Sequence, residues 1–127
     1  MSSYLRNMSN VAVAHLLNLN PDWIFSQWAH ETGGFTSELC VEHNNFAGLT
    51  QSEDNGLGQP DGNCFYMRFD SAYDFAVYFS KYLLLYEGIS DCSSLEDYVR
   101  CLKDGGYFGD TVENYLAGCE FWLAIIQ

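Results

Sequence analysis

Residues that begin and end helices divide this chain into short segments. The apolar stretch Val11 to Leu19 predicts a first helix, which must stop before Pro21. Asn20 then occupies a helix-capping position and Pro21 the first helical position, where proline's missing N–H is not needed. Gly33 and Gly34 are typical of a helix end. A second helix is therefore predicted from Pro21 to about Glu31.

The middle of the chain predicts a short helix followed by a small β-like lobe. The short helix is predicted from Thr36 to His43. Residues 48–63 are rich in Gly, Asn, Asp and Pro, as in turns. The stretch Cys64 to Phe69 alternates apolar and polar residues, as a strand with one buried face does. We expect a small hairpin or irregular lobe here.

The second half of the chain predicts three more helices. Ser71 with Asp74 forms a capping pair before a helix that continues to about Tyr86. Ser93 with Glu96 gives the start signal for the next helix, which ends at Gly105-Gly106. The last helix is predicted from about Thr111 to Ile126. The predicted fold class is therefore α+β, mostly α, with a small β-hairpin lobe, in one domain spanning residues 1–127.

Composition excludes several classes of function. The 17 Asp and Glu residues against 5 Lys and Arg leave a formal net charge of −12, which repels phosphate backbones and anionic lipid headgroups. Nucleic acid and membrane are therefore not expected as partners. The same charge disfavours binding to an anionic cell wall, so such a contact would have to be local, neutral or assisted by another component.

The cysteine pattern and the N-terminal residues bear on metal binding and location. Five cysteines, in no CxxC pair and with no His at ligand spacing, predict no metal site. Cysteines scattered through apolar stretches are typical of small buried side chains in a reducing cytosol. The N-terminal stretch resembles neither a signal peptide nor a membrane span. Synthesis in the cytoplasm is the expectation.

Glu31 lies on the apolar stripe of the second predicted helix. Ile24, Trp28 and Glu31 are at positions i, i+4 and i+7, so the carboxyl is expected on the buried side. Burial against aromatic rings raises a carboxyl pKa and keeps it protonated at neutral pH. Trp28 and Phe35 are the expected rings. His30 lies about 100° round the helix and is expected at the surface.

Three separated motifs resemble the glucosaminidase family of peptidoglycan hydrolases, which includes flagellar-rod and autolysin glucosaminidases. The first motif is Ser26 to Ser37, followed by Asn44-Asn45-Phe46-Ala47-Gly48-Leu49. The second is Tyr66 to Ser71, and the third is Leu102 to Asp110 with Tyr115. The motifs are in the family's order over about residues 23 to 126. The resemblance implies a lysozyme-like helical domain.

The resemblance also implies roles for individual residues. Glu31 becomes the general acid, and Tyr107, at the Gly-Tyr position, becomes a catalytic residue that lines the cleft. Tyr115 lies on an inward helical stripe typical of packing, and Asn45 is interpreted mainly as a loop-holding residue, yet both are candidates for substrate contact. The full set of candidate substrate-binding residues is Trp28, Phe35, Asn45, Phe46, Tyr66 and Tyr115.

A second carboxylate is the point at which this sequence departs from the clearer family members. Such a group would lie on the short lobe at residues 50–63, where Glu53, Asp54 and Asp61 are available and Glu53 is the only Glu. Acids beside Gly and Asn are also common turn formers. The mechanism therefore stays open between inversion, retention and assistance by the substrate's own N-acetyl group.

The predicted function is a glycoside hydrolase that cleaves peptidoglycan glycan strands, of N-acetylglucosaminidase or muramidase type. A lytic transglycosylase and a non-catalytic glycan-binding domain of the same fold remain alternatives. No cofactor is implied. The expected partner is peptidoglycan or chito-oligosaccharide, with a wall-targeting chain or domain as a further option. A phage-encoded protein released to act on the cell wall would fit these expectations.

Overall fold

The computed structural model describes residues 3–13, 19–37, 42–51, 58–61 and 64–126. Five α-helices and a small sheet occupy these ranges, with a 3-10 turn at Ile89–Asp91. The helices are α1 (Ser3–Val13), α2 (Pro21–Glu31), α3 (Ala72–Leu83), α4 (Leu95–Asp104) and α5 (Val112–Ile126). The prediction of a mainly helical α+β fold is confirmed. None of the described helices is both long and apolar enough to span a bilayer.

Helix α2 has the bounds predicted from its capping signals. The Asn20 side chain accepts a hydrogen bond from the Asp22 N–H at 2.9 Å, with Pro21 at the first helical position. The first helix, by contrast, begins at Ser3 instead of Val11, and residues 14–18 lie outside the described ranges. Its first turn has no acidic residue, so it lacks the pairing of serine with Asp or Glu that marks the start of the later helices.

The other helix bounds differ from prediction by small shifts that have local causes. Thr36 lies in a turn, while residues 42–43 are helical and residues 38–41 are not described. Helix α3 is capped by Ser71 as predicted but ends at Leu83, before a series of turns. Helix α4 is capped by Ser94, one residue later than predicted, because the Ser93 hydroxyl donates to Asp97 instead.

The small lobe is a three-stranded antiparallel sheet with the order β1-β3-β2. The strands are β1 (Thr50–Gln51), β2 (Gly58–Asp61) and β3 (Cys64–Met67). The predicted hairpin corresponds to β2 and β3, and Thr50 of β1 pairs with Tyr66 on the other edge of β3. The pairing of β1 with β3 places the loop after residue 43 beside the helical part of the fold.

The core is aromatic and centres on Trp28, which has no exposed surface. The indole packs edge-on against Phe75 and Phe79 and lies 5.8 Å from the Phe46 ring centroid. Helix α2 packs against both α1 and α5, and α1 also packs against α3. Helix α2 is therefore fixed on several sides, which fixes the position of the residue at its end.

Candidate active site

Glu31 is the last residue of α2, and the following residues turn the chain sharply. The Thr32 hydroxyl donates to the Trp28 carbonyl at 2.8 Å and accepts from the Phe35 N–H at 2.9 Å. Gly33 and Gly34 have φ of +61° and +80°, a region that glycine enters without strain. A Cβ on Gly34 would lie 2.7 Å from the Trp122 ring. The glycines therefore allow both the turn and the close approach of α5.

An open pocket of ≈ 200 Å³ begins at Glu31. Its wall combines the carboxyl with a loop, the first strand and three aromatic rings. The lining residues are Glu31, Ala47, Gly48, Leu49, Thr50, Tyr82, Tyr107 and Phe108. Drug-sized ligands usually occupy pockets of roughly 300–1,000 Å³, so the described part of this pocket has room for a small group such as one sugar unit.

The carboxyl of Glu31 is partly desolvated by the surrounding protein, although the residue as a whole is exposed to solvent. Glu31 as a whole is exposed because it lies at the pocket wall. Burial of its carboxyl among protein atoms nevertheless raises its pKa, and this effect outweighs the hydrogen bond from Tyr115 and the charge of His30, which both lower it. A carboxyl of this kind can hold a proton and deliver it into the pocket.

Tyr115 fixes the orientation of the Glu31 carboxyl. Its hydroxyl donates to Glu31 Oε1 at 2.5 Å. Its ring stacks on Phe108 with centroids 3.9 Å apart, and the His30 ring packs edge-on against it. Tyr115 is only 3% exposed, so this side chain reaches the carboxyl from the protein interior. In this structure it contacts the acid and does not line the pocket.

Tyr107 lines the pocket with a hydroxyl that has no hydrogen-bond partner among the described residues. Burial, and then the nearby Glu31 carboxyl, raise the pKa of Tyr107 well above its usual value, so it stays protonated. An unpaired buried hydroxyl is costly. The Tyr107 hydroxyl is therefore a buried polar group beside the pocket whose hydrogen-bonding capacity the described residues leave unused.

Three residues predicted to bind substrate are instead part of the core. Trp28 and Phe46 are 0% and 2% exposed, and each is enclosed by other aromatic rings. Asn45 is also fully buried, where its amide donates to the Leu49 and Met67 carbonyls and accepts from the Leu49 N–H. The expectation of sugar contact is corrected for these three residues, because none has surface to offer a ligand.

Of the remaining predicted residues, two are not part of the pocket wall and one lies outside the described residues. Phe35 is half-buried against Phe25 and Phe46 and is not part of the pocket wall. Tyr66 is half-buried and pairs with Thr50, which does line the pocket. Glu53 lies outside the described residues. Contact of Tyr66 with sugar and a catalytic role for Glu53 therefore stay predictions.

Sequence reasoning missed two rings of the pocket wall and misplaced a histidine. Tyr82 belongs to the apolar stripe of α3, which is indistinguishable from a core stripe in sequence, and its hydroxyl lies 3.1 Å from that of Tyr86. Phe108 directly follows Tyr107, so its place in the pocket wall could have been inferred from the predicted role of Tyr107. His30 is half-buried against Tyr115 instead of lying at the surface, because α5 packs closely on that side of α2.

Among the described side chains, no group of three or more His, Cys, Asp or Glu is placed to hold a metal ion. The groups that line the pocket are a carboxyl with a raised pKa, tyrosine side chains and a phenylalanine ring.

Two solved structures have a similar fold. The catalytic domain of the autolysin Auto from Listeria monocytogenes matches with a TM-score of 0.72 and 16% identity, covering 96% of this chain and 80% of that one. A chain of a type VI secretion system effector–immunity complex from Pseudomonas protegens matches with a TM-score of 0.71 and 15% identity, covering 96% and 90%. At this identity the matches show the fold alone. No curated protein matches the chain.

The family comparison covers most of the sequence. The model of the Glucosaminidase family, described as mannosyl-glycoprotein endo-beta-N-acetylglucosaminidase, matches residues 9–120. This range contains Glu31, the turn after it, and every residue of the pocket wall. The chain therefore belongs to the Glucosaminidase family, a membership that supports peptidoglycan hydrolysis as its general activity.

Proposed function

We propose that this protein cleaves the glycan strands of peptidoglycan by hydrolysis, with Glu31 as the general acid. The observation that carries the proposal is a carboxyl with a raised pKa in an open pocket with aromatic walls. Glycosidic cleavage needs a proton for the leaving oxygen, and a carboxyl supplies it at neutral pH only if its pKa is raised. Family membership gives the substrate class.

Tyr115 acts on the acid and not on the sugar. Its hydrogen bond to Oε1 holds the carboxyl in one orientation and leaves the other oxygen for the substrate. When Glu31 gives up its proton, the same hydrogen bond becomes charge-assisted and stabilises the carboxylate. Tyr115 is therefore a positioning residue in this proposal.

Tyr107 is the proposed substrate-facing hydroxyl. Because this buried hydroxyl has no protein partner among the described residues, a sugar hydroxyl or the N-acetyl group in the pocket would satisfy it. Such a bond would hold the sugar ring at a fixed distance from Glu31. Phe108 and Tyr82 would provide aromatic faces for the same ring.

The second catalytic group is proposed to be Glu53, reaching the pocket from the sheet lobe. In that arrangement a carboxyl separation of about 5–5.5 Å would give retention, and about 6.5–9.5 Å would give inversion. Glu31 is the one carboxylate in the described pocket wall. With Glu31 acting alone, the second candidate is a lytic transglycosylase, in which one acid suffices and the product carries an anhydro end.

The test is cleavage of purified peptidoglycan by Glu31→Gln, with Glu113→Gln as the matched control. Gln keeps the size of the side chain and can still accept the Tyr115 hydrogen bond, but it has no acidic proton to transfer to the leaving oxygen. We expect the rate to fall by about 10²–10⁴-fold, the usual contribution of a general acid. Glu113 is exposed on α5 and is not part of the pocket wall, so its variant should behave as the wild type.

Mass analysis of the reduced products identifies the reaction. Reducing ends indicate hydrolysis, and anhydro ends indicate the transglycosylase. Unchanged cleavage by Glu31→Gln would contradict the role of Glu31. Binding of glycan with no cleavage by the wild type would instead indicate the non-catalytic alternative.

The cell wall is the proposed place of action, after synthesis in the cytoplasm of a bacterium or a phage-infected cell. The net charge of −12 does not favour an anionic wall, so a targeting chain or domain is proposed to assist. Neither nucleic acid nor a bare membrane is proposed as a partner.

A further inference from the structure

Two cysteines that do not line the pocket of Glu31 lie before and within α4. Cys92 precedes the helix, and Cys101 is in its second half. Their thiols point to carbonyls of consecutive residues, Cys92 to that of Gly88 at 3.6 Å and Cys101 to that of Glu87 at 3.2 Å. The two thiols therefore lie beside neighbouring peptide units, close enough for each to influence the pKa of the other. Both are free thiols in this structure.

The pair is accessible, unlike the third described free cysteine. Cys92 and Cys101 are each partly exposed, whereas Cys119 has no exposed surface. Cys101 also lines a hollow on the surface together with Glu87 and Asp104. A small uncharged oxidant can therefore reach this sulfur, while the acidic neighbours would repel an anionic one.

We propose that Cys92 and Cys101 form an intrachain disulfide when the folded protein meets an organic disulfide. The Cys101 thiolate attacks one sulfur of the oxidant and displaces a thiolate. Cys92 then loses its proton, and its sulfur attacks Cys101 Sγ and displaces the second thiolate. The protein loses two hydrogen atoms, and the oxidant is reduced to two thiols.

We expect the thiols of Cys92 and Cys101 to form a structural disulfide slowly, and not to act as a fast redox sensor. Burial raises the pKa of Cys92 to about 11 and also raises that of Cys101, so little thiolate exists at neutral pH. The thiols therefore persist in a reducing cytosol and oxidise after transfer to an oxidising compartment. The bond would tie the segment after α3 to α4, independently of whether Glu31 is the acid.

The test uses the full-length reduced protein and bis(2-hydroxyethyl) disulfide, an uncharged oxidant, followed by alkylation and trypsin. Cleavage after Lys81, Arg100 and Lys103 separates the two cysteines into peptides 82–100 and 101–103. We expect these two peptides to be recovered as one disulfide-linked species. Its initial rate of formation should rise about tenfold per pH unit from pH 7 to 9, as thiolate attack requires.

Variants and stability distinguish this bond from other pairings. Cys119→Ala should still form the linked species, whereas Cys92→Ser and Cys101→Ser should not. The oxidised wild type should melt about 5–10 °C above the reduced wild type, because a short loop is closed in the unfolded chain. A dominant link through Cys40 or Cys64, no link at all, or a lower melting temperature on oxidation would overturn the proposal.

Discussion

At the scale of single residues, the Glu31 carboxyl is subject to opposing influences on its pKa. Desolvation raises the pKa, and the Tyr115 hydrogen bond and the His30 charge lower it. The net direction is upward, since burial is the largest of the three. The pKa of Glu31 is therefore set by burial together with two neighbouring side chains, Tyr115 and His30.

Removal of the Tyr115 hydroxyl should shift the pH dependence of cleavage. In Tyr115→Phe the ring still stacks on Phe108, but the bond that favours the ionised carboxyl is lost. The pKa of Glu31 then rises further, so the alkaline limb of kcat/KM should move to higher pH. The rate at the optimum should fall less than in Glu31→Gln.

Tyr82→Phe is the control for this measurement. Tyr82 also lines the pocket, but its hydroxyl meets Tyr86 and not Glu31. The alkaline limb of kcat/KM for Tyr82→Phe should therefore match that of the wild type. A Tyr115→Phe profile with an unmoved limb would contradict the proposed tuning.

Glu31→Gln should stabilise the protein at neutral pH. A carboxyl whose pKa is raised on folding stabilises the folded state below its ordinary pKa of 4.5, and this contribution is lost as pH rises through the folded pKa. The neutral amide avoids that loss. Chemical denaturation should therefore give a higher free energy of unfolding for the variant at pH 7, with the difference vanishing below about pH 4. A variant less stable than the wild type at pH 7 would count against a Glu31 carboxyl whose pKa is raised by burial.

At the scale of elements, the site depends on the close approach of α2 and α5. The contact allows Tyr115 of α5 to reach Glu31, 84 residues earlier in the chain. Gly118 on α5 leaves space for the His30 ring, because a Cβ at this position would lie 2.2 Å from that ring. The small side chain at this position is therefore a packing requirement.

Gly118→Ala should destabilise the fold despite the better helix propensity of alanine. Overpacking costs about 1–3 kcal/mol, and the propensity gain of about 1 kcal/mol offsets only part of it. We expect a net loss of up to about 2 kcal/mol in the free energy of unfolding, measured by urea denaturation. Cleavage should fall as well, since the displaced His30 ring packs on Tyr115.

Two further variants test whether His30 causes this loss. Gly109→Ala should change stability by less than about 0.5 kcal/mol, because nothing lies within 4 Å of the added Cβ. In the His30→Ala background Gly118→Ala should cost much less, which gives a measurable coupling energy. Equal costs in both backgrounds would show that another contact is responsible.

At the scale of the whole molecule, the charge of −12 acts against an anionic substrate. At about 10 mM salt the screening length is about 30 Å, and at about 150 mM it is about 8 Å. Cleavage of intact cell wall at subsaturating amounts should therefore rise several-fold over this range, in a turbidity assay. Cleavage of a neutral chito-oligosaccharide should change little. A fall in wall cleavage with salt would instead indicate an attractive basic contact.

Much of the fold was predictable because its signals are local. Asn20, Pro21 and the two glycines after Thr32 define α2 from either end, and the Ser71 cap begins α3 as predicted. Less was predictable where the chain lacks such signals. The start of α1 has no acidic residue in its first turn, and nothing near Thr50 in sequence indicates its pairing with Tyr66.

The site was predictable only in part. Helical periodicity indicates which residues share one side of a helix, but not what that side packs against. The stripe of Ile24, Trp28 and Glu31 correctly indicates a common side of α2. It does not indicate that Trp28 is enclosed by α3 while Glu31, one turn further on, meets an open pocket. Tyr82 has the same ambiguity in α3, where core and pocket residues share one periodicity.

The sequence alone determined the helix-ending glutamate, the turn after it and the family's motifs, because each depends on residues within a few positions of one another. The tertiary structure decided which rings surround the carboxyl, which hydroxyl holds it and which aromatic residues are closed to a ligand. Those properties depend on contacts between residues tens of positions apart, such as Glu31 with Tyr115. They arise only when α2, α5 and the sheet lobe pack together.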